Sequence, residues 1–433
     1  MARHRSLLRP KRPRLQSASS LDSFPDLMGQ PTTATRPLPH NITSRLPTEL
    51  YDHFFHELHA SKTTLATCSL VCKAWLDHAR RYLFSTVNLR SDSRRRFVSF
   101  LRDSPHIVPY IRHVRMGGGW MLEQRDEFND MIRFLINLDN LRNIDIEAWS
   151  WSYLSPETAD VLLGGNGKIF ETLVILDLTF ITFPTFDTFR TVVSQFKMLR
   201  QLSLDNVTWG DEDKAESGLK TPALAPPLLS RLSICACSSQ SIVRWLMDAA
   251  EVPSIRSLRM PEVLADEVSL VNDLLAAIGP SLEHLEIGFL DRNSDDAPAV
   301  ASAVAQLDLS VHTRLRTLRI DQLTLYRFPS SPSSASSASD VSPCIWLVPL
   351  LESTSSPLLS ELTLAVWLGE ETQLDSIDWK ALVAFLQRGS SLQALRFHVR
   401  GIDEELDGEV RGWISRRLHD WAPGEERLRV SFE

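Results

Sequence analysis

Cysteine and long apolar runs are both scarce in this chain of 433 residues. Its five cysteines are an odd number, and no apolar run approaches the ~18 residues that a membrane-spanning helix needs. The amino terminus is basic, but the apolar block of a secretory signal peptide does not follow it. These absences exclude a disulfide framework and a membrane partner, and they predict reduced thiols in the cytoplasm, the nucleus or both.

Signatures of catalysis are missing as well. The run GGNGK at residues 164–168 lacks the spacing of a phosphate-binding loop, and Ile169 stands where such a loop has a hydroxyl residue. His56 and His59 are three residues apart, whereas a zinc protease needs two histidines four apart on one helical face. Cys235 and Cys237 are expected to be alternate residues of a strand. We therefore predict no enzymatic activity, no metal and no cofactor.

Charge is divided unevenly along the chain. The net charge is −8, and residues 1–48 hold eight Arg or Lys and two Asp, a balance of +6 that leaves −14 for the remainder. An acidic body argues against a nucleic-acid partner, which needs a basic surface. The basic run RPKRPR at residues 9–14 lies in a segment rich in Pro and Ser. We predict a disordered basic tail over residues 1–44, and a nuclear-import signal is the other interpretation.

Apolar residues near the amino end follow helical spacing. Pro47 suits the first turn of a helix, where its missing N–H would have no partner. The following apolar residues recur at steps of three and four, and they are Leu65, Cys68, Cys72, Trp75, Ala79 and Leu83. So short a unit buries only a marginal core, and part of its apolar surface is expected to need a partner.

This segment resembles the F-box, a resemblance carried by LPTEL at residues 46–50, CSLVCKAW at residues 68–75 and Leu83-Phe84. The resemblance implies that residues 45–90 form a short all-helical F-box that binds a Skp-family adaptor and, through it, a cullin scaffold. It implies the following adaptor-binding or core-defining residues: Leu46, Pro47, Leu50, Leu65, Val71 and Trp75. An ordinary helical hairpin with this apolar stripe inside is the alternative.

A second pattern, apolar-x-x-apolar-x-apolar, recurs ten times and resembles the strand signature of leucine-rich repeats. The units begin at Ile111, Leu141, Leu173, Leu199, Leu229, Ile255, Leu282, Leu315, Leu359 and Leu392. Amphipathic helical segments separate them. We predict an α/β fold in which residues 91–433 form an irregular leucine-rich-repeat solenoid, with a parallel sheet inside and helices outside. A doubly wound α/β enzyme is the alternative, although no phosphate loop follows an early strand.

Two segments interrupt the repeats and are predicted to be loop insertions. They lie near residues 208–227, which are acidic and then rich in Pro, and near residues 328–343, which are rich in Ser. Ser331 and Ser342 precede Pro and could accept phosphate there.

Residues that flank the apolar strand positions are expected to line a concave surface that binds a target protein. The predicted substrate-binding residues are Asp145, Glu147, Asp177, Asp205, Arg231, Arg259, Arg319 and Arg396. Their charge changes from acidic in the early units to mixed and basic in the later ones.

Together these features predict the substrate-recognition subunit of a Skp/cullin/F-box E3 ubiquitin ligase, whose protein substrate the sequence does not identify. The alternative is a non-catalytic scaffold or inhibitor, in which the amino-terminal helices only cap the first repeat. A metal-dependent hydrolase is a third interpretation.

Overall fold

The structure is a computed structural model, and it describes residues 47–89, 94–117, 125–210, 225–249, 252–290, 297–325, 344–389, 391–402, 406–421 and 427–432. Within these ranges the chain is α/β, with three amino-terminal helices followed by strands and helices that alternate. The predicted tail (residues 1–44) and the Ser-rich insertion (residues 328–343) lie outside the described residues. In the described part of the chain, none of the helices is long and apolar enough to cross a membrane.

The helices are α1 (Thr48–Glu57), α2 (Lys62–Ser69), α3 (Lys73–Leu83), α4 (Arg94–Asp103), α5 (Arg125–Ile136), α6 (Pro156–Leu163), α7 (Ile169–Thr172), α8 (Phe186–Ser194), α9 (Ser239–Met247), α10 (Val268–Ile278), α11 (Ala297–Val304), α12 (Leu347–Glu352), α13 (Trp379–Arg388) and α14 (Asp407–Arg417). The strands are β1 (Thr86–Leu89), β2 (His113–Met116), β3 (Asn143–Ser150), β4 (Ile175–Phe183), β5 (Gln201–Asp205), β6 (Thr208–Trp209), β7 (Arg231–Cys235), β8 (Ser257–Leu264), β9 (His284–Leu290), β10 (Thr317–Thr324), β11 (Glu361–Trp367), β12 (Ala394–Arg400) and β13 (Leu428–Phe432).

All thirteen strands of the described residues belong to one sheet, and every pairing is parallel. Strand order follows chain order from β1 to β13, except that the two-residue β6 pairs with the end of β4. A doubly wound sheet reverses its strand order at a switch point, and this sheet does not. The α/β prediction is therefore confirmed, and the order is compatible with a solenoid-like arrangement.

The apolar positions of the repeated pattern explain why these segments form a sheet with one covered face. Each of the ten predicted units contains or directly precedes an observed strand, β2 to β5 and β7 to β12. The residues at their apolar positions are buried in one continuous core with the apolar faces of the helices, except Ile146, which is partly buried against it. The amphipathic segments predicted between units include those that form α5, α8, α9, α10, α11 and α13.

Several strands are interrupted at the same place, just after the repeated pattern. Ala148, Phe180, Asn206, Ala236 and Gln322 all have positive φ angles, between 49° and 58°. Residues other than glycine rarely adopt this left-handed backbone conformation. In β3 and β4 pairing continues beyond the interruption, so the left-handed residue acts as a local bend within a continuing strand.

Two strands extend the sheet beyond the predicted units. β1 lies inside the segment assigned to the amino-terminal unit, yet it pairs in register with β2. β13 pairs with β12 at the other end. The predicted insertion near residues 208–227 is described only in part, and its first residues form β6.

The amino-terminal helices have a core of their own, separate from that of the sheet. It consists of Tyr51, Phe55, Leu65, Cys68 and Ala79, with partly buried residues packed around it. The unit is joined to the sheet by α3, which leads into β1 and contacts the 3₁₀ helix Pro105–Tyr110. Two separate cores mean that each part packs around its own set of apolar residues.

Candidate functional site: two docking surfaces

Four large apolar residues of the amino-terminal helices are exposed. Leu50 and Phe54 are one helical turn apart on α1, and 53% and 44% of their surfaces are exposed. Leu70 and Val71, in the turn between α2 and α3, are exposed by 84% and 46%. We call these four residues the apolar patch. Several exposed large apolar residues on so small a unit are typical of a surface that another protein covers.

Trp75 lies between the apolar patch and the small core. Its ring centroid is 5.6 Å from that of Phe54 and 5.6 Å from that of Phe55. The indole N–H is buried and has no hydrogen-bond acceptor within the described ranges. An unpaired buried N–H is unfavourable, and Trp75 therefore combines a packing role with an unsatisfied polar group.

A polar cluster holds α1 against α3. His78 is nearly buried, and its Nδ1 lies 2.7 Å from the Asp52 carboxylate. The Tyr82 hydroxyl donates to the backbone oxygen of Asp52, at 3.2 Å. These contacts fix the orientation of α1 and so determine which of its residues face outward.

The structure distributes the predicted adaptor-binding residues between surface and core. Pro47, Leu50 and Val71 are exposed, whereas Trp75 is half-buried. Leu65 is fully buried, which makes it a core residue and removes it from any docking surface. Leu46 lies outside the described residues. Leu70 and Phe54 were not selected from the sequence, because helical spacing alone does not show which apolar face remains uncovered.

The second surface is the face of the sheet opposite the buried apolar residues. Each unit has one residue between its last two apolar positions. This residue pairs with the equivalent residue on the next strand, and together these residues form a continuous row across the sheet, which we call the middle row. From β2 to β12 (without β6) the row is Arg115, Asp145, Asp177, Ser203, Ser233, Arg259, Glu286, Arg319, Thr363 and Arg396. Glu147 and Asp205 lie two residues after this row and Arg231 two residues before it, so all eight predicted residues share one face.

Most charges of the middle row are paired with one another. Arg115 Nε lies 2.9 Å from the Asp145 carboxylate. Arg259 Nε lies 2.8 Å from the carboxylate of Glu286, and Arg319 Nε is 3.6 Å from it. The side chains along the face were expected to change from acidic to basic. Because these ion pairs join neighbouring strands, much of that charge is neutralised locally.

The acidic end of the row contains one carboxyl group that is hard to ionise. Burial and the charge of Asp145 raise the pKa of Asp177 to about 6. Burial also acts on Asp145, but hydrogen bonding to His113 and the charges of His113 and Arg115 keep its pKa below the ordinary value. His113 Nε2 lies 2.9 Å from the Asp145 carboxylate. The two neighbouring acids therefore have different protonation states near pH 6.

The two cysteines at the end of β7 are structural residues and not reactive thiols. The strand ends at Cys235, and the left-handed Ala236 places Cys237 beyond it, so the expectation of two alternate strand residues is wrong. The Cys237 thiol donates to the backbone oxygen of Cys235 and accepts from the N–H of Val207. Burial raises the pKa of Cys235 to about 12 and that of Cys237 to about 11, which keeps both thiols protonated and poorly nucleophilic. Among the residues that the structure describes, no group of three His, Cys, Asp or Glu side chains could hold a metal ion.

A cleft opens at the amino-terminal edge of the strands, where sequence reasoning selected only Arg231. It has a volume of about 580 Å³ and is also lined by Arg200 and Arg256. Both arginines directly follow the first apolar residue of their unit, as do Arg112 and Arg142. The sequence shows this recurrence, but it does not show that the arginine positions are neighbours. The parallel register of the strands brings them together.

No family model matches the sequence, and no curated protein is significantly similar to it.

Proposed function

We propose that the chain is the substrate-recognition subunit of a Skp/cullin/F-box E3 ubiquitin ligase. In this proposal the amino-terminal helices bind a Skp-family adaptor, and the sheet with its helices is a leucine-rich-repeat domain that binds a target protein. The chain performs no chemistry itself, because its role is to raise the local concentration of the target beside the ubiquitin-charged enzyme.

The observation that carries the proposal is the apolar patch. The unit is held together by a separate core, yet Leu50, Phe54, Leu70 and Val71 remain on its surface. Covering such residues with a partner removes apolar area from water, worth roughly 25 cal/mol for each Å². Leu50, Leu70 and Val71 lie within the F-box-like motif, so for these three residues the sequence resemblance and the exposed surface coincide.

The test is co-purification of the full chain with a Skp-family adaptor. Leu50→Asp with Val71→Asp should reduce adaptor capture at least about tenfold, because two charges then enter a dry interface. Both positions are exposed, so folding should be retained. Trp75→Ala is a poorer probe, since Trp75 also packs against Phe55.

A matched control uses the same residue types elsewhere on the surface. Leu358 and Val311 are each 41% exposed and lie in the sheet domain. Leu358→Asp with Val311→Asp should leave adaptor capture unchanged. If the native chain fails to bind the adaptor, or if the Leu50 and Val71 variant binds it normally, the proposal is wrong.

A scaffold or inhibitor without a ligase role is the second candidate. It is favoured by the direct passage from α3 into the edge strand β1 and by contact of α3 with the 3₁₀ helix Pro105–Tyr110, which suit a cap on the sheet. A protein of this kind would capture its partner through the sheet domain and show no adaptor binding in the same experiment.

A further inference from the structure

The strand β13 has one side with which no other described strand pairs. Among the described residues only β12 pairs with it. The Leu395 N–H of β12 donates to the backbone oxygen of Arg427 at 2.8 Å. Because alternate residues of a parallel strand bond to the same neighbour, the N–H and C=O groups of Leu428, Val430 and Phe432 point away from β12. We call this row of backbone groups the free edge.

The free edge is only weakly satisfied by other parts of the protein. The Val430 oxygen accepts from Nη2 of Arg411 on α14, at 3.5 Å, which is the outer limit of a hydrogen bond. The strand contains no proline, and its pairing with β12 has no register shift. Proline and bulges are among the devices that keep a further strand from pairing with a sheet edge. Their absence from β13 leaves the backbone of this edge able to accept one.

The side chains of β13 continue both faces of the sheet. Leu428 and Val430 are half-buried and pack against the large core. Arg429 is exposed on the opposite face, where it pairs in register with Arg396 of the middle row. A parallel strand added to the free edge would therefore place one residue directly beside Arg429, and the two neighbours of that residue would extend the core.

Charge determines which residue fits beside Arg429. Within the middle row, Arg115 pairs with Asp145 and Arg259 pairs with Glu286, each across neighbouring strands. Arg429 forms no ion pair with any residue that the structure describes. Opposite charges on adjacent strands attract one another, and like charges repel. The edge therefore favours a strand with an acidic residue at this position and disfavours one with a basic residue.

We propose that the free edge of β13 binds an extended segment of a partner protein as a further parallel strand, and that this segment has the pattern apolar-acidic-apolar. The acidic residue pairs with Arg429, and its apolar neighbours lie beside Leu428 and Val430. A second copy of the chain is a poorer fit, because antiparallel pairing of two β13 strands would bring the arginines of both copies together. This strand addition does not depend on a ligase role.

The test uses a peptide whose sequence already forms such a strand in this protein. The peptide SLEHLEIG has the sequence of residues 281–288, which contain the first residues of β9 and place Glu286 in the middle row. Its binding to the full chain is measured by fluorescence anisotropy. The same peptide with arginine in place of Glu286 should bind at least about fivefold less tightly, because a like charge replaces an opposite one. Equal binding of the two peptides overturns the proposal.

A charge exchange on the protein locates the site. Arg429→Glu should reverse the preference, so that this variant binds the arginine peptide more tightly than the glutamate peptide. Arg429 is exposed, so folding should be retained. Arg142→Glu is the matched control, because Arg142 is an exposed arginine that directly precedes β3, and it should leave the native preference unchanged. A preference that Arg429→Glu does not alter places the peptide elsewhere and overturns the assignment.

Methylation of the peptide backbone tests strand pairing itself. In the intact sheet the His284 N–H donates to the preceding strand, at 2.9 Å from the Arg256 oxygen, and Glu286 follows in the same alternation. N-methylation of the peptide at His284 and Glu286 should therefore abolish binding, whereas N-methylation at Leu285 and Ile287 should preserve it. Equal effects of the two modifications exclude strand pairing, and the reverse pattern excludes the parallel orientation. Either result overturns the proposal.

Two further measurements separate this proposal from its alternatives. A dimer in light scattering that the peptide dissociates would assign the free edge to a second copy of the chain and overturn the proposal. The Leu50→Asp, Val71→Asp variant should bind the peptide normally, so failure of strand addition and failure of adaptor binding are distinguishable.

Discussion

Asp145 and Asp177 are directly paired residues of β3 and β4, yet their pKa values move in opposite directions. Burial and the nearby charge of Asp145 favour the protonated form of Asp177. Asp145 remains ionised because His113 and Arg115 contact it. The positively charged partners thus contact Asp145. Asp177 has one buried oxygen, Oδ1, without a hydrogen-bond partner within the described residues.

Asp177→Asn should increase stability at neutral pH. Because the folded pKa of Asp177 is raised to about 6, the folded state binds the proton more tightly than the unfolded state, and stability falls as pH rises from about 4 to about 6. The amide is neutral throughout and can still donate to Asp145. Urea unfolding at pH 7.5 should show a gain of about 1 kcal/mol, reduced from the full pKa difference because the group is partly solvated.

The gain should disappear below about pH 4, where Asp177 is protonated in both states. Asp160→Asn is the control, because Asp160 is exposed on α6. It should give no comparable gain in the free energy of unfolding at pH 7.5. A constant difference between Asp177→Asn and the native chain from pH 4 to 7.5 would contradict the titration of Asp177.

Asp321→Ala should strongly destabilise the sheet domain. The Asp321 carboxylate is almost fully buried and lies 3.2 Å from Arg319 and 3.3 Å from Arg400, which reaches it from two strands away. Removing one member of a buried ion pair costs about 3–5 kcal/mol, and here Arg319 and Arg400 both lose their contact with this carboxylate. Chemical denaturation measures this loss.

The control for Asp321→Ala is an exposed ion pair. Glu352 and Arg388 are 2.9 Å apart at the surface, and Glu352→Ala should cost less than about 1 kcal/mol. Similar losses for both variants would show that the Asp321 cluster is not the stabilising centre that its burial indicates.

Gly288→Ala should destabilise the sheet, whereas Gly412→Ala should stabilise it. A methyl group on Gly288 would collide with the backbone oxygen of Pro261 and lie 2.8 Å from that of Asp321, so neighbouring strands would have to separate. Gly412 lies within α14 with nothing within 4 Å of the added carbon, and alanine there is favoured by up to about 1 kcal/mol. Thermal unfolding of both variants checks the two signs, and an unchanged melting temperature for Gly288→Ala would contradict the close strand approach.

Phe55→Ala should unfold the amino-terminal helices without unfolding the sheet. Phe55 is fully buried in the small core, and truncation of a buried Phe costs about 3–5 kcal/mol. Hydrogen exchange should show lost protection in α1, α2 and α3 and retained protection in the strands from β3 onward. Leu50→Ala, at an exposed position, should leave protection unchanged, and a simultaneous loss across both regions for Phe55→Ala would contradict separate cores.

The repeated apolar pattern was sufficient to predict ten strands, because each strand buries the same positions against the helices. β13 escaped prediction because Glu425 occupies the place of the first apolar residue in its unit. β1 fits the pattern from Phe84 onward, but it follows the helical motif so closely that it was included there. Helix α14 was not predicted, because it contains two glycines and lacks a clear apolar stripe.

The docking surfaces were less predictable, since they depend on distances between residues far apart in sequence. Spacing identified Leu65 as a member of the apolar stripe but could not show that it is buried while Leu70 is exposed. It placed Asp145 and Arg259 on one face but could not reveal their partners on adjacent strands. Cross-strand pairing follows from the register, which no short motif specifies.

The in-order parallel sheet has a consequence for how the chain acquires its structure. Each main strand pairs with the strands that precede and follow it in the chain. A strand that emerges from the ribosome can therefore pair with the strand synthesised before it. Contacts of short sequence separation favour rapid folding, and linear arrays can propagate from any nucleus. The protein can therefore grow strand by strand from its amino-terminal side during synthesis, without waiting for its final residues.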